Sequence, residues 1–417
     1  MSNIRVGAIT FDWYPFDPLV RRISEAIVND GFEVDVICLR QKHESRFEVY
    51  HGVNVYRVPM DRGFGRSLPA TILSWCYFAF LASCLVTWLH LKRRYDVVHV
   101  HNMPDFLVFA ALIPRLLGAK VILHVQDVSP ELMAAKSKGR KRKVILGLAE
   151  TQERLSTAFA QHVITVGWPF EELLLRRGVP ARKLTSILNS ADPKMFPPER
   201  RGSSLPGTPS AERPLILMYH GTLARRNGLD IALRALALAL PEAPYLRLHI
   251  QGRGEHLPEL HELVRELGLG EHVQFTEPCR SDEIVDFIAR GDVGLIPYRR
   301  DGFMDLVLPT KAYEFAWMRR PIIASDTPAI RSLFRPVSMA LCDPERPESF
   351  AEAILDLYRS PEKRASFIAN AAEDYIPYQW EKMAQRYRDL LFTLSRKRPQ
   401  PAREPEEAAT VTIKPTS

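Results

Sequence analysis

Short apolar runs alternate with longer amphipathic stretches along most of this chain. Residues 4–10, 33–39, 96–100, 120–125 and 162–166 are nearly continuous in apolar side chains, and helical spacing lies between most of them. Apolar strands separated by helices predict a parallel sheet covered on both faces. The pattern then breaks: residues 197–213 are rich in proline, glycine and serine without periodicity, which reads as a linker. Alternation restarts with 214–219, 245–250, 272–275, 292–296 and 321–324. The expected fold class is α/β, with two doubly wound domains, 1–196 and 214–377, facing across a cleft. A helical pattern over 378–396, carrying Trp380, Met383, Tyr387, Leu390 and Leu391, is expected to cross back to the first domain. The polar, proline-rich tail 397–417 is expected to be disordered.

One segment does not fit a soluble sheet helix. Residues 71–91 carry no formal charge and run into Lys92-Arg93-Arg94. The length suffices to cross a bilayer. However, the segment leads directly into the apolar strand at 96–100, so a span would tear the sheet. It reads as a core or membrane-interface helix.

Composition adds three bounds. The 417 residues are 46% hydrophobic and 25% charged, which is globular and long enough for two full cores. The net charge of +7 favours anionic partners. Five scattered cysteines, with no CxxC pair and no Cys/His ligand spacing, point to a reducing compartment and no metal site. The N-terminus runs straight into a strand with no signal-peptide pattern, so a cytoplasmic location is expected. The basic run Lys136-Ser137-Lys138-Gly139-Arg140-Lys141-Arg142-Lys143 lacks interleaved aromatics. It speaks for an anionic membrane surface or a solvated loop, and not for nucleic acid.

Candidate chemistry gathers at predicted strand ends, where doubly wound sheets bind ligands. Pro309-Thr310-Lys311-Ala312-Tyr313-Glu314 reads as a turn into a helix, with Thr310 able to cap it and Lys311 and Glu314 on one face. A helix N-terminus with a lysine attracts phosphate, and a carboxylate one turn on can accept hydrogen bonds from a sugar diol. His220-Gly221-Thr222 ends one strand, with Arg225 and Arg226 before the next helix as a possible diphosphate fork. Gln251-Gly252-Arg253-Gly254 follows another strand and permits close backbone approach. In the first domain Asp12, His99, His101, Asn102, Asp105, His124 and Asp127 fall at strand ends and loops on one edge, as hydrogen-bonding groups or as satisfied buried histidines.

Together these positions resemble glycosyltransferase family 4, the retaining sugar-nucleotide-dependent enzymes of the GT-B fold with its two Rossmann-like domains. The most specific parts are Pro309–Glu314 and His220–Arg226, and Asn189-Ser190-Ala191-Asp192 is similar to a further family element. The opening Phe11-Asp12-Trp13-Tyr14-Pro15-Phe16-Asp17-Pro18 resembles a branch acting on bacterial surface polysaccharides. The resemblance implies a nucleotide-sugar donor, a glycan or lipid-linked acceptor, no metal or other cofactor, and peripheral contact with the inner face of the cell membrane. It implies donor contacts at Gly221, Thr222, Arg226, Gly252, Glu277, Thr310, Lys311 and Glu314. His124 and Glu314 would be catalytic, and Asp12, His101 and Asp127 would face the acceptor. Two positions depart from the family: Leu306 replaces a second glutamate, with Asp305 one residue out of register, and Asn227 replaces a phosphate-binding lysine. A nucleotide-sugar epimerase of the same fold, or a binding protein without turnover, are the competing readings.

Overall fold

The computed structural model describes residues 4–28, 30–60, 68–136, 141–202, 207–279 and 283–397. Residues 398–417 of the expected tail and 137–140 of the basic run lie outside the described residues. Two sheets form, one on either side of the expected linker. The first contains β1 (Arg5–Trp13), β2 (Glu33–Leu39), β3 (Phe47–Tyr50), β4 (Val53–Val58), β5 (Val97–His101), β6 (Lys120–Val125), β7 (His162–Thr165) and β8 (Leu184–Ser186), in the order β3-β4-β2-β1-β5-β6-β7-β8. The second contains β9 (Leu215–His220), β10 (Leu246–Gln251), β11 (Val273–Thr276), β12 (Val293–Ile296), β13 (Ile322–Ser325) and β14 (Ala340–Cys342), in the order β11-β10-β9-β12-β13-β14. All pairings are parallel except β3 with β4. The central strands are buried along nearly their whole length because helices cover both faces, which accounts for their apolar runs.

The antiparallel β3–β4 hairpin was not expected. Its two-residue turn is His51-Gly52, both at positive φ (46° and 81°), as a type I′ hairpin turn requires. β8 and β14, three residues each, also escaped the pattern reading.

The chain crosses between the domains twice. At the first crossing Trp317 Nε1 donates to the Phe196 carbonyl (2.7 Å), and the Arg201 guanidinium lies 3.5 Å above the Trp317 ring. At the second, the helix Trp380–Ser395 packs onto the first domain. Tyr387 Oη sits 2.7 Å from His99 Nδ1, the Phe392 and Phe32 rings meet at 5.3 Å, and Arg388 pairs with Asp30 at 2.8 Å. The second domain holds its own apolar core, formed by helices 229–239 and 347–359 against β9 and β10.

Candidate active site

The carboxyl ends of both sheets face a common cleft of about 540 Å³. Its walls come from the helix Pro18–Val28, from the segments after β6, β9, β10, β11 and β12 and from the start of the helix Thr310–Trp317. This is where doubly wound sheets offer free backbone groups and helix N-termini to ligands.

Gly221, Thr222, Arg226, Gly252, Thr310, Lys311 and Glu314 all line the cleft. Two glycines make the wall possible. Gly228 turns the chain into the helix Leu229–Ala239 at φ +66°, and a β-carbon there would stand 1.7 Å from the Pro297 carbonyl oxygen. A β-carbon on Gly252 would stand 1.9 Å from the Gly221 oxygen, so the β9 and β10 loops touch backbone to backbone.

Lys311 and Glu314 are both buried. Lys311 Nζ donates to Tyr298 Oη (3.2 Å) and lies 4.1 Å from the centre of the Tyr219 ring. Burial opposes the charge on Lys311, the two tyrosines favour it, and the net displacement is upward, so the ammonium stays protonated. Glu314 Oε2 lies 3.2 Å from His220 Nε2, and its Oε1 lies 4.0 Å from Arg22 Nη2. Burial alone would raise the Glu314 carboxyl. The His220 contact and the charges of Arg22 and Lys311 outweigh it and hold the group below the ordinary carboxylate value.

Arg22 escaped sequence reasoning. It comes from the first-domain helix Pro18–Val28, is 3% exposed, and reaches across the interface. Its Nη1 donates to Asn189 Oδ1 (2.8 Å) and to the Ser190 carbonyl, and Asp17 Oδ1 caps the start of its helix. Asn189-Ser190-Ala191-Asp192 therefore holds Arg22, while Ala191 N donates to Tyr375 Oη (3.0 Å). The available signal was an arginine among the apolar positions of an amphipathic helix.

Several expectations need correction. Thr310 lines the cleft but caps nothing: Pro309 is the N-cap residue and no side chain caps this end. Arg225 is exposed and outside the cleft wall, so Arg226 acts without a fork. The Glu277 side chain is exposed and outside the wall; its carbonyl accepts from Gln251 Nε2 (3.3 Å). Of the acceptor-side residues only Asp127 reaches the cleft. Asp12 accepts from Trp13 N at 2.8 Å at the end of β1. Asp305 does not replace the missing glutamate. It faces Arg300 (3.3 Å), and Phe303, Met304 and Val307 form the wall beside Leu306. Asn227 is a brace and no cation: its Nδ2 donates to Tyr219 Oη (2.7 Å) and to the Thr222 carbonyl (2.8 Å).

His124 and His101 also lie outside the cleft wall. His101 and His124 are register partners on β5 and β6, and with His99 they form a fully buried cluster whose ring nitrogens lie within 4.8 Å of one another. The sequence placed the three on one sheet edge, and the pairing of β5 with β6 brings them into one buried cluster. Gln126 Nε2 sits 3.0 Å from His101 Nδ1, Tyr387 Oη engages His99, and the His99 and His124 rings stack 10° from parallel. Burial pushes all three imidazoles down, His101 to about 3, so the cluster is neutral. It joins β5, β6 and the crossing helix instead of touching the cleft.

Comparison with known proteins agrees with this geometry. Residues 18–190 match the model for a glycosyl transferase 4-like domain, and 204–374 match glycosyl transferases group 1. The chain is a glycosyltransferase of the GT-B fold. A D-inositol 3-phosphate glycosyltransferase of Thermobispora bispora is 22% identical, over 88% of this chain and 87% of its own. Sucrose-phosphate synthase from Thermosynechococcus elongatus superimposes with a TM-score of 0.73 at 18% identity, covering 94% and 99% of the two chains. HepE of Anabaena in complex with UDP-glucose gives 0.68 at 16% identity, covering 94% and 100%. The cleft of this glycosyltransferase lies between the two matched domains.

Proposed function

We propose that this glycosyltransferase transfers a hexosyl group, with retention, from a nucleoside-diphosphate sugar to a glycan or lipid-linked acceptor of a bacterial surface polysaccharide. The work takes place at the cytoplasmic face of the cell membrane. The observation that carries the reading is the convergence of Arg226, Lys311 and a helix N-terminus on one cleft wall beside the buried carboxylate of Glu314. The cations suit a diphosphate, and the carboxylate suits a ribose diol.

The chemistry follows from charge. Breaking the bond between the anomeric carbon and the phosphate oxygen leaves positive charge on the sugar and extra negative charge on the diphosphate. Fixed cations that meet this developing charge lower the barrier, because they need no reorganisation during the step. The reading gives that role to Arg226, Lys311 and the peptide dipole, and assigns it to no metal. The acceptor oxygen bonds to the anomeric carbon from the leaving-group face, and its proton passes to the departing phosphate oxygen. His124 has no part in this scheme, since it lies in the buried cluster. Apposition of the two domains excludes water, which would otherwise hydrolyse the donor.

The relatives' name favours a second acceptor class, a small phosphorylated polyol. One assay separates the readings. UDP-, GDP- and ADP-sugars are offered with undecaprenyl-linked saccharides or with inositol phosphates, and the new linkage is assigned by NMR. The proposal expects an α-linked product from an α-linked donor on the lipid-linked acceptor. Inversion, or interconversion of the donor sugar without any acceptor, would contradict it.

A further inference from the structure

The helix Leu68–Arg93 is apolar on every side, yet protein covers only one of them. Ser74, Phe78, Ala82, Val86 and Leu89 form a buried stripe against the sheet, where Phe78 meets Phe11 at 5.1 Å. The opposite stripe, Leu73, Tyr77, Phe80, Trp88 and Leu91, is exposed over about 28 Å of the helix at 1.5 Å per residue. A helix apolar all round belongs in a large core or in lipid. Only 28% of its most apolar stretch is buried, so the core explanation fails for the outer half.

The surface continues beyond this helix. The turns 105–116 pack against this helix, and the helix Lys141–Phe159 packs in turn against the turn 105–111. They present Leu112, Ile113 and Leu116 (73% exposed), then Val144, Leu148 and Leu155 at helical spacing. The exposed charges on and beside these elements are mostly basic. Lys92, Arg94, Lys143 and Arg154 are exposed, against Glu150. Lys92 Nζ lies 3.8 Å from the centre of the exposed Trp88 ring, an amphipathic pair suited to the headgroup layer.

We infer that these three elements, joined through the turns 105–116, form one membrane-docking surface that lies in the plane of an anionic bilayer. The buried stripe anchors the long helix to the sheet, so it is half-immersed and does not span. Apolar side chains enter the headgroup–acyl boundary, and the basic residues add attraction to anionic lipid. This rests on the proposed lipid-linked acceptor for its purpose, but not for its geometry. β4 runs towards the cleft edge of its sheet and β5 begins at the opposite edge, so the intervening helix starts on the cleft side. Its first turns, with Ile72, Leu73 and Tyr77, are thus the end from which a lipid-borne acceptor passes to the active site.

The test is vesicle flotation of the full chain with phosphatidylglycerol/phosphatidylcholine vesicles and with phosphatidylcholine alone. Wild type should float with the anionic vesicles and at least tenfold less with the neutral ones. Phe80→Glu with Leu116→Glu should reduce binding at least tenfold, and Lys92→Glu with Arg94→Glu should reduce it on anionic vesicles alone. All four positions are exposed, and unchanged melting and nucleoside-diphosphate binding check that each variant is folded. Unbound wild type, equal binding by the Phe80/Leu116 variant, or a stable dimer that hides the patch in light scattering would overturn the inference. Turnover is not read, so failure here leaves the transfer reaction standing, and absence of transferase activity leaves the docking surface standing.

Discussion

Replacing Arg226 with alanine separates recognition of a diphosphate from maintenance of the fold. The side chain is half-buried on the cleft wall, its guanidinium 5.4 Å from the centre of the Phe303 ring. Among the described residues it has no carboxylate partner, so truncation strands no buried counter-charge. The cost to stability should stay within about 0.5 kcal/mol, as for a surface change away from special features. The cost to binding is larger. A charge-assisted hydrogen bond contributes about 1.5–3 kcal/mol. At about 1.4 kcal/mol per decade, that is roughly a 10- to 150-fold loss of affinity. The decisive comparison uses two ligands of one base in calorimetry. The nucleoside diphosphate should lose that factor, whereas the bare nucleoside should change less than threefold. The diphosphate effect should also shrink as salt rises. Equal losses for both ligands, or a diphosphate loss under twofold, would refute the assignment.

Three further outcomes follow from the same structure. Glu314→Gln keeps the shape but removes the charge beside His220, Arg22 and Lys311, so nucleoside-diphosphate affinity and turnover should each fall at least tenfold; calorimetry and initial rates check this. Gly228→Ala places a β-carbon into the Pro297 carbonyl at a left-handed backbone position and should destabilise by about 3 kcal/mol or more; a melting temperature within 2 °C of wild type would disprove the steric argument. The histidine cluster contributes to the acid limb of stability. His101 is lowered in the folded state, so the unfolded chain binds more protons below the ordinary histidine value near 6.5, and stability falls as pH drops from there towards about 3. At pH 5 His101 alone accounts for about 2 kcal/mol of that loss, and urea unfolding of His101→Asn at pH 7.5 and pH 5 should show a correspondingly shallower acid limb.

The strands carrying the cleft were legible because a parallel sheet buried on both faces leaves continuous apolar runs in the sequence. β3 and β4 were missed although Tyr50-His51-Gly52-Val53 carries a hairpin turn signal; one face of that edge pair is solvated, so its apolar residues alternate and the run is broken. The part of the second-domain wall made by the ends of β9 and β10 and the helix Thr310–Trp317 was legible, because local spacing encodes all three. Of the first-domain contribution, Asp127 was legible and Arg22 was not. Arg22 reaches Glu314 across the domain interface, a contact no local pattern carries. The family resemblance implied a catalytic role for His124, but its pleat position places it with His99 and His101 on the face that meets the crossing helix. Departures from the family motif were visible in the sequence, but their consequences needed side-chain directions: Asp305 faces Arg300, and Asn227 braces Tyr219.

A crystal structure of the full chain with its preferred nucleoside diphosphate tests the central claim most directly. The account predicts the diphosphate within hydrogen-bond distance of Arg226, Lys311 and the first turn of the helix Thr310–Trp317, with the ribose on Glu314. A nucleotide seated instead in the separate arginine-lined cavity of about 790 Å³ beside Arg201, Arg213, Arg290 and Arg320 would contradict it.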